Sequence, residues 1–169
     1  EIEVPKIAAG LVTIKAIVRE AGYRTKMAVY CEDGNIDPVG ACVGNRGMRV
    51  NAIVSELGGE KIDIIPWCQD TLEFIARALS PAKVSMVEAT EDEKVAKVVV
   101  DDNMLSLAIG KDGQNARLAA RLTGWKIDVK SYSAYMKSKM EEETQLTSEV
   151  TESDKPEESD GEEELGELD

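Results

Sequence analysis

A chain of 169 residues can form one ordinary domain or two small ones, and 43% hydrophobic residues with only 4% aromatics imply an aliphatic core. The formal net charge of −13 is concentrated at one end: residues 141–169 carry 14 Asp and Glu against Lys155 alone, leaving 19 acidic and 19 basic residues in 1–140. With no His, no C-x-x-C among Cys31, Cys42 and Cys68, no apolar run of membrane-spanning length and no signal peptide, the composition excludes a zinc site, a disulfide framework and a membrane anchor. It points to a soluble cytoplasmic protein without cofactor or metal.

Residues 1–8 are the expected remnant of a helix, and the start at Glu1 rather than Met implies a fragment. Val12, Ile14, Ala16 and Val18 alternate with polar neighbours, Gly22 marks a turn, and Thr25–Cys31 is rich in β formers, so a hairpin is predicted. Asp37 and Pro38 supply an N-cap and a first helical residue for a short helix ending at Gly44. A second helix carries Val50, Ile53, Val54 and Leu57 at helical spacing, stops at Gly58-Gly59, and leads to a strand over Lys61–Trp67. The order then recurs: a helix over Asp70–Ser80, strands Lys83–Ala89 and Val95–Val100, a short helix Asn103–Ile109, a helix bearing Leu118, Ala119 and Leu122, and a strand Lys126–Lys130. Tyr132–Met140 either extend that strand or open a helix. From Glu141 hydrophobic periodicity ceases, and the acidic stretch reads as disordered.

The recurrence is an internal repeat. Residues 42–64, CVGNRGMRVNAIVSELGGEKIDI, match residues 108–129, AIGKDGQNARLAARLTGWKIDV, with Gly44 and Gly47 offset by 66 from Gly110 and Gly113. Each unit is α-β-β-α-α-β, an α+β arrangement with a three-stranded sheet packed on helices. Units this small need mutual packing for stability. A lone Gly-x-x-Gly is weak evidence, but here it falls twice between two helices in the same context. Glycine on both sides removes the Cβ that would keep another chain away, and the following helix directs N–H groups and partial positive charge at the same spot. A phosphate fits such a place, and clamping a few backbone nucleotides with such a loop is how KH folds hold RNA.

The predicted RNA-binding residues are Gly44, Asn45, Arg46, Gly47 and Arg49 in the first unit, and Gly110, Lys111, Asp112, Gly113, Gln114, Asn115 and Arg117 in the second. Arg46 and Lys111 offer cations to phosphates. Residues 108–140 hold seven Lys and Arg against two Asp, making the second unit the more basic. Arg121 and Lys126 are ligands or solvated charges, Val43 and Ile109 groove or core. Trp67 and Trp125 read as packing residues.

On DPVGACVGNRG (37–47), ELGGEKIDII (56–65) and AIGKDGQNARLAARLTGW (108–125), the chain resembles the tandem KH region of the NusA family of bacterial transcription elongation, termination and antitermination factors. The resemblance implies two type II (prokaryotic) KH domains, at 1–68 and 69–135, and composition adds an acidic tail at 136–169. The resemblance further implies single-stranded RNA as ligand, A-rich and from nascent or ribosomal-RNA leader transcripts, with roles in pausing, termination and antitermination. RNA polymerase would be a partner through an N-terminal domain lying outside this chain, and the protein a monomer. Asp112 departs from the pattern by placing an anion inside the second loop. The tail follows no KH pattern: it either solubilises, mimics RNA or contacts a partner.

Two other classes compete. A nucleotide-binding enzyme is disfavoured because no G-x-x-x-x-G-K-[ST] occurs, Lys111 being followed by Asp112, and the adjacent Asp101 and Asp102 would face opposite ways on a strand. A protein-interaction scaffold of degenerate KH folds, binding polymerase or ribosomal proteins, is opposed by the intact loops.

Overall fold

A computed structural model describes residues 1–153. The first module runs α1 (Pro5–Ala8), β1 (Thr13–Glu20), β2 (Arg24–Tyr30), α2 (Pro38–Val43), α3 (Met48–Glu56) and β3 (Lys61–Pro66). The second repeats it as α4 (Thr71–Ala78), β4 (Val84–Thr90), β5 (Val95–Val100), α5 (Leu105–Ile109), α6 (Gln114–Thr123) and β6 (Lys126–Ser131), followed by α7 (Tyr132–Ser153). The predicted Asp37 cap forms, accepting from the Val39 N–H at 3.1 Å, and Asp70 caps α4 in the same way, accepting from the Leu72 and Glu73 N–H groups.

Each module holds a three-stranded sheet in which the middle strand pairs antiparallel with the first and parallel with the third. Parallel pairing needs a crossover, and the two helices flanking the Gly-x-x-Gly loop provide it. The copies agree in detail, with a register shift between Ile14 and Ala16 in β1 and between Val84 and Met86 in β4. That bulge puts Ile14 at the surface, where strict alternation had placed it in the core.

The back of the first sheet is where the modules meet. Ala28 and Ile65 join Ile75, Ala78, Leu79, Ala119 and the second sheet's Ala96, Val98 and Val100 in one buried cluster, with Ala16 and Val18 against it. Helices α4 and α6 are thus sandwiched between the two sheets, which is how two small cores become one. A polar staple crosses the same surface. Lys26 is fully buried on β2, and its ammonium donates to Asp63 at 2.9 Å and to the Ser80 carbonyl at 2.7 Å. Burial lowers the Lys26 pKa, and the Asp63 carboxylate opposes that shift.

The first module's outer face is looser than its apolar stripe predicts. No residue of α3 is buried, and Val50, Ile53 and Leu57 instead line an apolar cavity of about 250 Å³ with Met27, Ile62 and Ile64. In the second module the matching helix buries Leu118, Ala119 and Leu122, because the two-turn α4 and the first module's β1 and β2 pack against it, where α1 has a single turn and α3 has no second sheet among the described residues.

The reading of the acidic stretch from Glu141 as disordered is corrected as far as Ser153, where α7 continues; residues 154–169 lie outside the described residues. The helix starts at Tyr132 because Ser131 accepts from the Ala134 N–H at 3.2 Å and Asp102 accepts from the Ser133 N–H at 3.1 Å. Lys137–Glu141 and Lys139–Glu142 pair at i,i+4 and i,i+3, local support that a search for apolar periodicity cannot register. No helix among the described residues is long and apolar enough to cross a membrane.

Candidate nucleic-acid interface

The two Gly-x-x-Gly loops have the same backbone. Gly44 has φ 78° and ψ 174° against 77° and 172° at Gly110. Arg46, at φ 51° and ψ 31°, matches Asp112 at 55° and 26°, and Gly47, at 75° and 14°, matches Gly113 at 73° and 13°. Two differing sequences held in one strained conformation, with a non-glycine residue in the left-handed region each time, mark a shape kept by its surroundings.

The first glycine of each pair and the second glycine of the second loop have different reasons. A Cβ on Gly44 would lie 2.8 Å from the Arg49 side chain and 3.0 Å from its backbone N, and one on Gly110 would lie 2.8 Å from both Cβ and N of Asn115. The first glycine therefore serves the protein's own helix-to-helix contact. Beside Gly113 a Cβ would meet nothing within 4 Å, so that side of the loop is open to a ligand. Helices α3 and α6 begin immediately after the loops without a side-chain cap, the N–H groups of their first residues, Met48 and Gln114, donating to the Asn45 and Lys111 carbonyls inside the loops.

The predicted site residues divide sharply. Asn45, Arg46, Lys111 and Asp112 are solvent-facing at the loop tips. By the shared backbone, Arg46 corresponds to Asp112 and Asn45 to Lys111, so the two candidate cations occupy different places in their loops. Arg49 is turned inward, donating to the Ala41 carbonyl at 2.8 Å. Asn115 is corrected from a ligand to a structural staple: it is 1% exposed, and its amide donates to the Leu79 carbonyl at 3.0 Å and the Ala108 carbonyl at 2.9 Å. Buried amides must be satisfied, and these two donors already are.

Gln114 and Arg117 lie beside the second loop but serve the junction. Arg117 donates to Glu20 at 2.6 Å and to the Asp112 carbonyl at 3.1 Å, while Gln114 donates to Glu20 at 2.8 Å. The Arg117 guanidinium, helped by the Gln114 amide, lowers the Glu20 pKa to about 2. Arg121 and Lys126 are exposed, Val43 is half-buried, and Ile109 is exposed beside its loop. Trp125 is buried, and Trp67 packs edge-on to Tyr30 with ring centroids 5.3 Å apart.

Sequence reasoning missed the groove in front of the second loop. It has a volume of about 400 Å³, and its far wall is the first module: Tyr23 and Arg24 from the β1–β2 turn, with Gly59 and Lys61 before and at the start of β3. Arg24 reaches across to donate to the Asn115 side-chain amide oxygen at 3.4 Å. The available signal was a difference between the copies, since the matching turn in the second module is Glu91-Asp92-Glu93.

A family model of the NusA-like first KH domain matches residues 1–67, and one of the NusA-like second KH domain matches residues 71–137. The transcription termination/antitermination protein NusA of Bacillus subtilis is 61% identical over 131 residues, covering 78% of this chain and 35% of that protein. Its namesake from Halalkalibacterium halodurans is 59% identical over 133 residues, 79% of this chain and 35% of its own length. That of Thermus thermophilus is 54% identical over 125 residues, 74% and 32%. The chain thus spans about a third of the length of these relatives. The crystal structure of APE1850 shares the fold, with a TM-score of 0.54 at 20% identity, covering 76% of this chain and 95% of that one. Two consecutive domain matches, the duplicated sheet-and-loop geometry and identities above one half over the same residues lead to one conclusion: the chain belongs to the NusA family, whose two KH domains it carries.

Proposed function

We propose that the chain binds single-stranded RNA at both Gly-x-x-Gly loops, as the RNA-gripping part of a transcription factor acting with RNA polymerase in pausing, termination and antitermination. The observation that carries this reading is the identity of the two loop backbones despite different residues at their tips. A turn needed only to join two helices has no reason to hold Arg46 and Asp112 at the same strained angles. The ligands are Asn45, Arg46 and the Gly47 side in the first domain, at 1–68, and Lys111 and the open Gly113 side in the second, at 69–135. Arg49, Gln114, Asn115 and Arg117 position them. Polymerase contact would come from outside this chain. The RNA would be A-rich, nascent or leader transcript, and the protein a cytoplasmic monomer performing no reaction.

Anisotropy of a labelled A-rich RNA tests this, measured as single strand and as duplex over a salt series, with the wild type and an Arg46→Asp/Lys111→Asp double variant. Salt-sensitive binding selective for the single strand, lost in a variant that still folds, is expected. Binding that is absent, or unchanged in the variant, would remove the RNA clamp and leave a protein-interaction scaffold.

A further inference from the structure

We propose that the β1–β2 turn of the first module and the second Gly-x-x-Gly loop form a subsite for one unpaired nucleotide at the module junction, its base stacked on Tyr23 and its phosphate taken by Lys61 and Lys111. This deepens the RNA-binding reading and rests on it.

The turn is held as a platform. The buried Glu60 carboxylate accepts from the Arg19 guanidinium at 2.8 and 2.9 Å, from the Gly22 N–H at 2.8 Å and from the Thr25 hydroxyl at 2.7 Å. Tyr23 itself is fixed through its backbone, its N–H on the Glu20 carbonyl at 3.0 Å and its carbonyl accepting from the Lys61 N–H at 3.1 Å. On the other side Glu20 grips Arg117 and Gln114 of α6, so the turn and the second loop share one frame. The Tyr23 ring is left out of this network: it is 69% exposed and borders two hollows along the second loop, the 400 Å³ groove and a neighbour of about 320 Å³. Lys111 lines both hollows and Lys61 the larger.

Comparison of the two copies separates this from an ordinary surface tyrosine. The Lys126 N–H donates to the Lys94 carbonyl at 2.8 Å as that of Lys61 does to Tyr23, so Lys94 is the counterpart of Tyr23. Lys94 is used internally, its ammonium 4.9 Å from the centroid of the buried Trp125 ring, and it follows three carboxylates. The position is thus absorbed into structure in the second module. In the first it is an exposed aromatic that lines one groove with Lys61 and Lys111. An aromatic face beside cations is the arrangement that takes an unpaired base, whatever its identity.

The test uses the full chain and a labelled short oligoadenylate, together with versions in which one nucleotide at a time is abasic. Tyr23→Ala is expected to weaken binding about tenfold, and Tyr23→Phe to restore it. One internal abasic position should weaken the wild type similarly while costing Tyr23→Ala nothing further. The urea midpoint of Tyr23→Ala should match the wild type, the ring being mostly exposed. If the wild type binds and Arg46→Asp/Lys111→Asp does not, yet Tyr23→Ala binds normally or loses the same factor at every abasic position, the subsite is overturned and the loop reading stands. If the wild type binds no single strand at all, both fall.

Discussion

The two glycines of the second loop should respond very differently to alanine. At Gly113, φ 73°, a methyl group meets nothing within 4 Å, so Gly113→Ala costs only the left-handed backbone, on the order of 1 kcal/mol. At Gly110, φ 77° and ψ 172°, the backbone lies in a region essentially reserved for glycine, and a Cβ would also be held 2.8 Å from the Asn115 backbone N, which cannot move without displacing the first turn of α6. Overpacking of that kind adds roughly 1–3 kcal/mol to a backbone cost of about 1–3 kcal/mol, giving about 2–6 kcal/mol in all. Moving Asn115 also disturbs its bonds to the Leu79 and Ala108 carbonyls, so the penalty reaches α4 and α5. Urea unfolding followed by circular dichroism reads both values. RNA anisotropy on the folded Gly113→Ala variant then isolates the open side of the loop, where an added methyl should weaken binding while stability changes little. Equal costs for the two variants would refute the division of roles between the glycines. Unimpaired binding by Gly113→Ala would show that the open side is not where RNA approaches.

Three further outcomes follow from the junction and the loops. Lys26→Ala removes a buried ammonium from Asp63 and leaves the Ser80 carbonyl unpaired, so urea unfolding should show a loss of about 3 kcal/mol; a loss below about 1 kcal/mol would mean that the staple is idle. Glu20 and Glu60 are held near about 2 by guanidinium groups, below the unfolded carboxylate value, so their stabilisation is full above that value and fades as pH falls toward 2. Thermal midpoints of Glu20→Gln should therefore fall less between pH 5 and pH 2 than those of the wild type, and parallel curves would contradict the assignment. Arg46→Ala should lower the slope of log K against log salt by about 0.7 if Arg46 neutralises one phosphate of a single strand, and an unchanged slope would place Arg46 outside the contact.

The hairpins, the paired helices and both loops were legible because each is set by neighbours in sequence: β-branched alternation, an Asp-Pro cap, glycines where φ must be positive. What stayed hidden is set by the other module. Lys26 sits in Arg24–Tyr30 as an alternating polar residue of a half-exposed strand would, and only the second module against the back of the sheet makes it buried. Gln114 and Arg117 follow a Gly-x-x-Gly loop as ligands would, yet their partner Glu20 lies 94 and 97 residues away. Helix spacing gives the face of a residue but not what stands opposite.

Duplication supplies the control that a single sequence lacks. Where the copies agree, at the loop backbones, the bulges and the sheet order, the fold is being specified; where they diverge under the same backbone, the difference is free to serve binding. The tips show this most plainly, with Asn-Arg on one frame and Lys-Asp on the other. The left-handed position holds a cation in the first loop and an anion in the second, and the cation of the second stands one residue earlier. A phosphate lying identically on both loops would meet Arg46 in one and Asp112 in the other. A single strand held at both must therefore shift its phosphate toward Lys111 in the second domain, which is the side on which Tyr23 and Lys61 line the groove.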